Sequence, residues 1–172
     1  MMRSVNLNVL ATIPLLLCTL SAQAARPSIL PVTNTDYQDE CSACHFAYQP
    51  GLLPSASWKN LMAGLQDHFG ENAELDVDAN KQLTDYLVAN AADKSTTKRS
   101  ARIVKSISSS VPLRITEVPY IRNKHYEVPR RLIQGNEKVK TLANCDACHT
   151  KAGQGFYSER YVRIPGYVRW ED

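Results

Sequence analysis

Beyond its first 24 residues the chain has no apolar run approaching the roughly 20 residues that a membrane-spanning helix needs, so no span is expected in the processed protein. It has no cysteine to spare: of five, Cys18 lies in the N-terminal apolar stretch and the other four fall in two short motifs, which leaves no thiol for a structural disulfide. Its second half has no methionine, and the whole chain has four histidines, His45, His68, His125 and His149. The basic middle of the chain lacks the interleaved aromatic residues of a single-strand nucleic-acid binder, and no nucleic-acid partner is expected.

The four cysteines sit in Cys41-Ser-Ala-Cys44-His45 and Cys145-Asp-Ala-Cys148-His149, two copies of C-x-x-C-H that begin 104 residues apart. On a helical turn, positions i, i+3 and i+4 share a face. Two thiols can then capture the vinyl groups of a porphyrin while the histidine reaches its iron, which is the pattern of covalent haem c attachment. Two C-x-x-C disulfides or a zinc site are the alternatives. Neither needs a histidine directly after the second cysteine, twice. The expected cofactors are two covalently bound haem c groups, attached through Cys41, Cys44, Cys145 and Cys148.

The N-terminus has the grammar of an export signal: Arg3, an apolar stretch from Val9 to Leu20, then Ala22-Gln23-Ala24 as a cleavage site, which predicts a mature chain starting at Ala25. Leu15-Leu16-Leu17 lacks the small residue that a lipid-attachment site wants next to Cys18. The mature 148 residues suit one domain or two small ones.

Charge is segregated. Residues 25–93 carry 3 Lys+Arg against 10 Asp+Glu, a net of −7; residues 94–140 carry 12 against 3, a net of +9; residues 141–172 carry 4 of each. Such faces suit docking to partners of opposite sign at salt-sensitive rates, or simply solvate two surfaces.

The periodicity of Trp58, Leu61, Met62, Leu65, His68 and Phe69, with Gly70 as a stop, predicts a helix over 55–69. Ala79, Leu83, Tyr86, Leu87 and Ala91, opened by Asp76 or Asp78 as N-cap, predict another over 77–92. Lys94 to Arg102 reads as a linker or exposed helix end, which divides the chain into 25–93 and 94–172 after a signal at 1–24. From Val111 to Pro129 the prolines oppose a long helix. Short helices are expected over 130–142 and at the second attachment turn, with loops elsewhere, so the fold class is mainly α.

Two haems need two ligands beyond the motif histidines His45 and His149. His68 falls on the apolar stripe of its helix, where a neutral imidazole needs a partner to justify burial. Met62 is its rival, because methionine is also a haem ligand. His125 lies between Pro119 and Pro129 with no periodicity to orient it, and its candidacy rests on counting. Pairing His45 with His68 and His149 with His125 keeps each pair within one segment; a crossed arrangement stays open. Two filled irons make a carrier rather than an enzyme. A small peroxidase or oxyanion reductase with one open haem is the alternative.

Glu40-Cys41-Ser-Ala-Cys44-His45-Phe-Ala-Tyr-Gln-Pro-Gly-Leu-Leu-Pro-Ser, then Trp58, Leu61-Met62-Ala-Gly-Leu, Asp67-His68-Phe69-Gly70-Glu71-Asn72-Ala73, Arg114-Ile-Thr-Glu and Cys145-Asp-Ala-Cys148-His149-Thr together closely resemble the bacterial dihaem cytochrome c family, over nearly all of the mature chain. The resemblance implies a periplasmic electron-transfer protein. Its first half would be a shrunken class I cytochrome c, and its second half would wrap a second haem irregularly. It implies bis-histidine ligation by His45, His68, His125 and His149. It also implies a b-type membrane cytochrome as donor and a small oxygen-binding monohaem cytochrome as acceptor. A monomer is expected.

Overall fold

The computed structural model describes residues 26–108 and 110–167; the export signal, its cleavage site and Cys18 lie outside them. Helix α1 (Thr35–Cys41) starts where the Asn34 side chain accepts a hydrogen bond from the Tyr37 N–H at 2.7 Å, and it ends on the first attachment motif. Helix α2 (Ser55–Ala63) follows Pro54, whose fixed φ suits a helix entry. Its first N–H and the Ser55 hydroxyl are both taken up by the Asp93 carboxylate, at 2.6 and 2.8 Å. Helix α3 (Val77–Ala89) is capped by Asp76, which accepts from the N–H groups of Asp78 and Ala79.

The predicted helix over 55–69 is broken. Gly64, at φ −119° and ψ 24°, ends α2, and the chain resumes as a 3₁₀ turn over Leu65–Asp67. His68 thus caps a turn instead of riding the stripe of a continuous helix. The α3 prediction differs from the structure by three residues at its C-terminal end.

The segment read as a linker or exposed helix end runs into a helix, α4 (Lys98–Ser106), capped by Thr97. Hydropathy along the chain hides this because only Ser100 and Ile103 of α4 are fully buried. The Ser100 hydroxyl donates to the Gly51 carbonyl at 2.8 Å. A Cβ on Gly51 would crowd that hydroxyl at 2.9 Å, so glycine is what lets α4 come this close. Between the prolines that oppose a long helix lies a short one, α5 (Pro119–His125): Pro119 occupies its first turn, where a missing N–H costs nothing, and His125 is its last residue. Over 130–142 the expected helices reduce to a 3₁₀ turn at Arg130–Leu132 followed by turns around the buried Asn136. Helix α6 (Cys145–Cys148) is the turn formed by the second C-x-x-C-H motif.

Among the described residues there are no strands, only two isolated bridges, His68 with Glu71 and His149 with Val162. The fold is mainly helical, as expected. One apolar cluster gathers Ile29, Tyr37, Leu53, Trp58 and Met62 with Leu83 and Leu87 of α3, and extends across residue 94 to Ile103, Ile115 and Val118. Trp58 satisfies its ring N–H on the Pro50 carbonyl at 2.8 Å. Leu132, Ile133, Val139 and Ile164 are buried too, but they line a cavity instead of joining that cluster.

Candidate haem centres

The first motif begins on the last residue of α1 and continues as a turn, so Cys41, Cys44 and His45 follow one another around a single bend. The His45 Nδ1–H donates to the Phe46 carbonyl at 2.9 Å, the assignment under which Nε2 keeps its lone pair. Opposite stands His68. Its N–H donates to the Glu71 carbonyl at 2.7 Å, and the Glu71 N–H returns a bond to the His68 carbonyl at 3.3 Å, closing a tight loop. That loop needs Phe69 at φ 61° and Gly70 at φ 102°, both left-handed, and a phenylalanine there carries backbone strain. The Phe69 ring packs on His68 at 4.8 Å, and the Arg114 guanidinium lies over that same Phe69 ring at 3.8 Å.

The second motif forms α6, whose His149 N–H bonds the Cys145 carbonyl at 2.8 Å. His149 is held from the other side by a bridge: the Thr150 N–H donates to the Tyr161 carbonyl and the Arg163 N–H to the Cys148 carbonyl. Facing it is His125 at the end of α5, whose Nδ1–H donates to the Ile121 carbonyl at 2.8 Å. Between and around them lies a cavity of about 660 Å³ lined by Cys145, Cys148, Leu132, Ile133, Val139 and Ile164 among others, a volume within the usual range for small-molecule sites. A smaller hollow of about 400 Å³ adjoins Cys44 and His45.

All four histidines are therefore brought together in two couples, each within the segment expected of it. The His45 and His68 ring centroids are 6.2 Å apart and nearly parallel, at 22°; those of His125 and His149 are 6.0 Å apart and crossed, at 83°. An imidazole nitrogen sits about 2 Å from a bound metal and the ring centre about 1 Å behind it, so two trans imidazoles on one ion stand about 6 Å apart. Met62 is packed in the core at 6% exposure, and its carbonyl accepts from the Asn80 side chain. Among the described residues no three His, Cys, Asp or Glu side chains converge as a protein-only metal site would require. Two axial imidazoles suffice where a porphyrin supplies the other four nitrogens. The residues fit the group.

The dihaem cytochrome c family model matches residues 37–157. This chain belongs to that family. Solved relatives bracket it: a dihaem cytochrome c from Shewanella baltica OS155 is 37% identical over 80% of this chain and 97% of its own, with a TM-score of 0.66. Two structures of the Rhodobacter sphaeroides dihaem cytochrome c are 46% and 47% identical, over 74% of this chain and 99% and 100% of theirs, with TM-scores of 0.66 and 0.60. No curated protein matches. The protein is thus an electron-transfer haem protein with two covalently bound haem c groups.

The electrostatics of this dihaem cytochrome suit that cofactor. Burial, with His125 and Arg99 nearby, pushes His149 down to about 4, so its imidazole is neutral and has a lone pair to offer. Burial, then His45 and Arg114, lowers His68 as well. Burial raises the Cys41 thiol to about 11 and Cys145 to about 12, which favours uncharged sulfur, the state a thioether also has. Among the described residues the His149 Nδ1 is buried with no hydrogen-bond partner, as are the Ser57 hydroxyl and the Arg99 Nε.

Reading along the chain missed the residues that join the two centres. Tyr48 stacks on His45 at 4.9 Å and 30° while its hydroxyl donates to the Ala143 carbonyl at 2.8 Å, just ahead of the second motif. The fully buried Gln49 donates through Nε2 to the Ala152 carbonyl at 2.6 Å, and its Oε1 accepts from the Tyr157 hydroxyl at 2.5 Å. The Tyr157 ring meets His149 edge-on at 5.2 Å. The only signal in the sequence was nearness: Tyr48 and Gln49 directly follow the first motif, but nothing in their spacing names partners about 100 residues away.

Proposed function

We propose that the protein is an exported, periplasmic electron carrier in which His45 and His68 ligate one haem, tethered by Cys41 and Cys44, and His149 and His125 ligate the other, tethered by Cys145 and Cys148. The observation that carries the reading is the pairing of all four histidines into two opposed couples about 6 Å apart. Each iron would supply one-electron storage without a change of ligands, which suits outer-sphere transfer. The chain's own residues hold the rest: Phe46 and Ile121 fix two imidazole tautomers, and the loop over His68–Glu71 and the bridge at His149 fix two ring positions. Residues 25–93 form the first haem unit and 94–172 the second. The acidic and basic segments steer docking with partners, a b-type membrane cytochrome as donor and a small monohaem cytochrome as acceptor, as the family resemblance implies.

The test is electron paramagnetic resonance and ligand addition on the oxidised holoprotein. Parallel imidazole planes split the iron π orbitals and crossed planes leave them nearly degenerate. Two different low-spin signals are expected, one rhombic and one strongly anisotropic. Carbon monoxide should leave the reduced protein's spectrum unchanged, whereas replacing His68 with alanine should make one haem of two high-spin and accessible to it. Rapid cyanide or carbon monoxide binding by the unaltered protein would instead indicate an open iron and an enzyme.

A further inference from the structure

Arg99 is a charge without a counter-charge. Its side chain reaches from α4 to the wall of the larger cavity, where its Nε is buried with no hydrogen-bond partner. Its other nitrogens make two long bonds, to the Tyr120 hydroxyl and the Tyr157 carbonyl, both at 3.4 Å. The guanidinium lies between the two tyrosine rings, 5.9 and 6.0 Å from their centroids. Ring faces attract a cation but do not neutralise it. Among the described residues no carboxylate pairs with it, and a partly buried guanidinium that lacks one is costly. The cavity wall is cationic besides: Arg122, Lys124 and Arg160 accompany Arg99 against Glu127 and Glu159.

We propose that Arg99 is the counter-ion of a carboxylate of the second porphyrin, clamping that haem from the edge opposite its thioether anchors. The proposal rests on the second haem being seated between His149 and His125. The chemistry follows from the occupant: a haem held at one edge by Cys145 and Cys148 must bring two carboxylates to the far side of the same cavity. A planar fork of N–H donors between two aromatic faces is suited to receive one. The pair also sets the potential. Removing the cation leaves an uncompensated negative charge beside the iron, which favours the ferric state.

The experiment is a redox titration of holoprotein carrying Arg99→Gln, with haem content measured by mass. One of the two potentials should fall, with a reduction equilibrium constant about tenfold lower, which is about 59 mV for one electron; the other should stay. Two unchanged potentials in a protein with both haems would overturn the proposal. If R99Q does not mature, Arg99→Lys decides: with charge kept and fork lost it should mature and shift its potential by less than tenfold. Failure of R99K as well would mean that residue 99 serves packing between the tyrosines, and the proposal falls. Inorganic phosphate titrated into the unaltered protein at constant ionic strength should change neither potential. A saturable shift would show that Arg99 holds a free anion instead. A mass one porphyrin short in the unaltered protein would defeat the reading of the second centre itself, independently of Arg99.

Discussion

Replacing Gln49 with leucine tests whether the seam between the two centres holds the molecule together. The change keeps the side-chain bulk but deletes two hydrogen bonds that span more than 100 residues of chain. Their partners differ in what they lose. The Ala152 carbonyl retains a bond from the Gly155 N–H at 2.7 Å, so its loss is that of one ordinary bond, about 1 kcal/mol. The Tyr157 hydroxyl, which burial keeps protonated and therefore donating, is left without its acceptor, at about 1–3 kcal/mol. Leucine gains about 1 kcal/mol from burying apolar surface where the amide was. The net is about 2 kcal/mol, or a melting point lower by about 4–8 °C in a chain of this size.

Urea unfolding of the oxidised holoprotein, followed by Soret absorbance and far-UV dichroism, reads this directly. Tyr157→Phe should cost about 1–2 kcal/mol by stranding the Gln49 oxygen. The double variant should cost less than the two together, by about 1 kcal/mol, because the shared bond is lost only once. A Gln49→Leu protein within about 0.5 kcal/mol of the parent, or strict additivity, would refute the seam as a stabilising element.

Gly155 has φ 77° and its carbonyl accepts bonds from the Ser28 and Ile29 N–H groups and the Ser28 hydroxyl, while a Cβ on it would run into the Ile29 carbonyl oxygen. Gly155→Ala should therefore cost about 2–4 kcal/mol in the same assay, and a loss under about 0.5 kcal/mol would contradict the close approach. At Asp93 burial works to raise the carboxyl, but the Ser55 N–H and hydroxyl and then Lys94 outweigh it and hold the carboxyl below its usual value. A depressed folded value means stability present above the unfolded carboxylate range near about 4 and lost as pH falls through the folded one. Because Asp93 is exposed, Asp93→Ala should cost less than about 1 kcal/mol at neutral pH. That difference should narrow in acid, and a pH-independent gap would remove the carboxylate from the account.

What could be read along the chain was whatever is encoded over one or two turns. The two pentapeptides need only i, i+3 and i+4 to converge, and the Asp76 cap with the Leu83–Leu87 stripe declares α3 within its own span. Local pattern erred where a neighbour overruled it. Gly64 splits the stripe that runs on through His68, and α4 looks like a charged linker or exposed helix end because only Ser100 and Ile103 are fully buried, against Gly51 and the core. His125 could be counted but not oriented, since its place at the end of α5 depends on Pro119 opening a helix that docks on α4 through the Ser106 hydroxyl.

The number of haem sites, their anchors and the supply of imidazoles were thus matters of sequence. The angle between each imidazole pair, the left-handed loop at Phe69, the Tyr48–Gln49–Tyr157 seam and the solitary charge of Arg99 were decided only by the tertiary structure. The reason is physical: thioether spacing is set by covalent geometry over a single turn. Ring planes, buried amides and unpaired charges instead take their surroundings from residues that meet only when distant segments close around the same space.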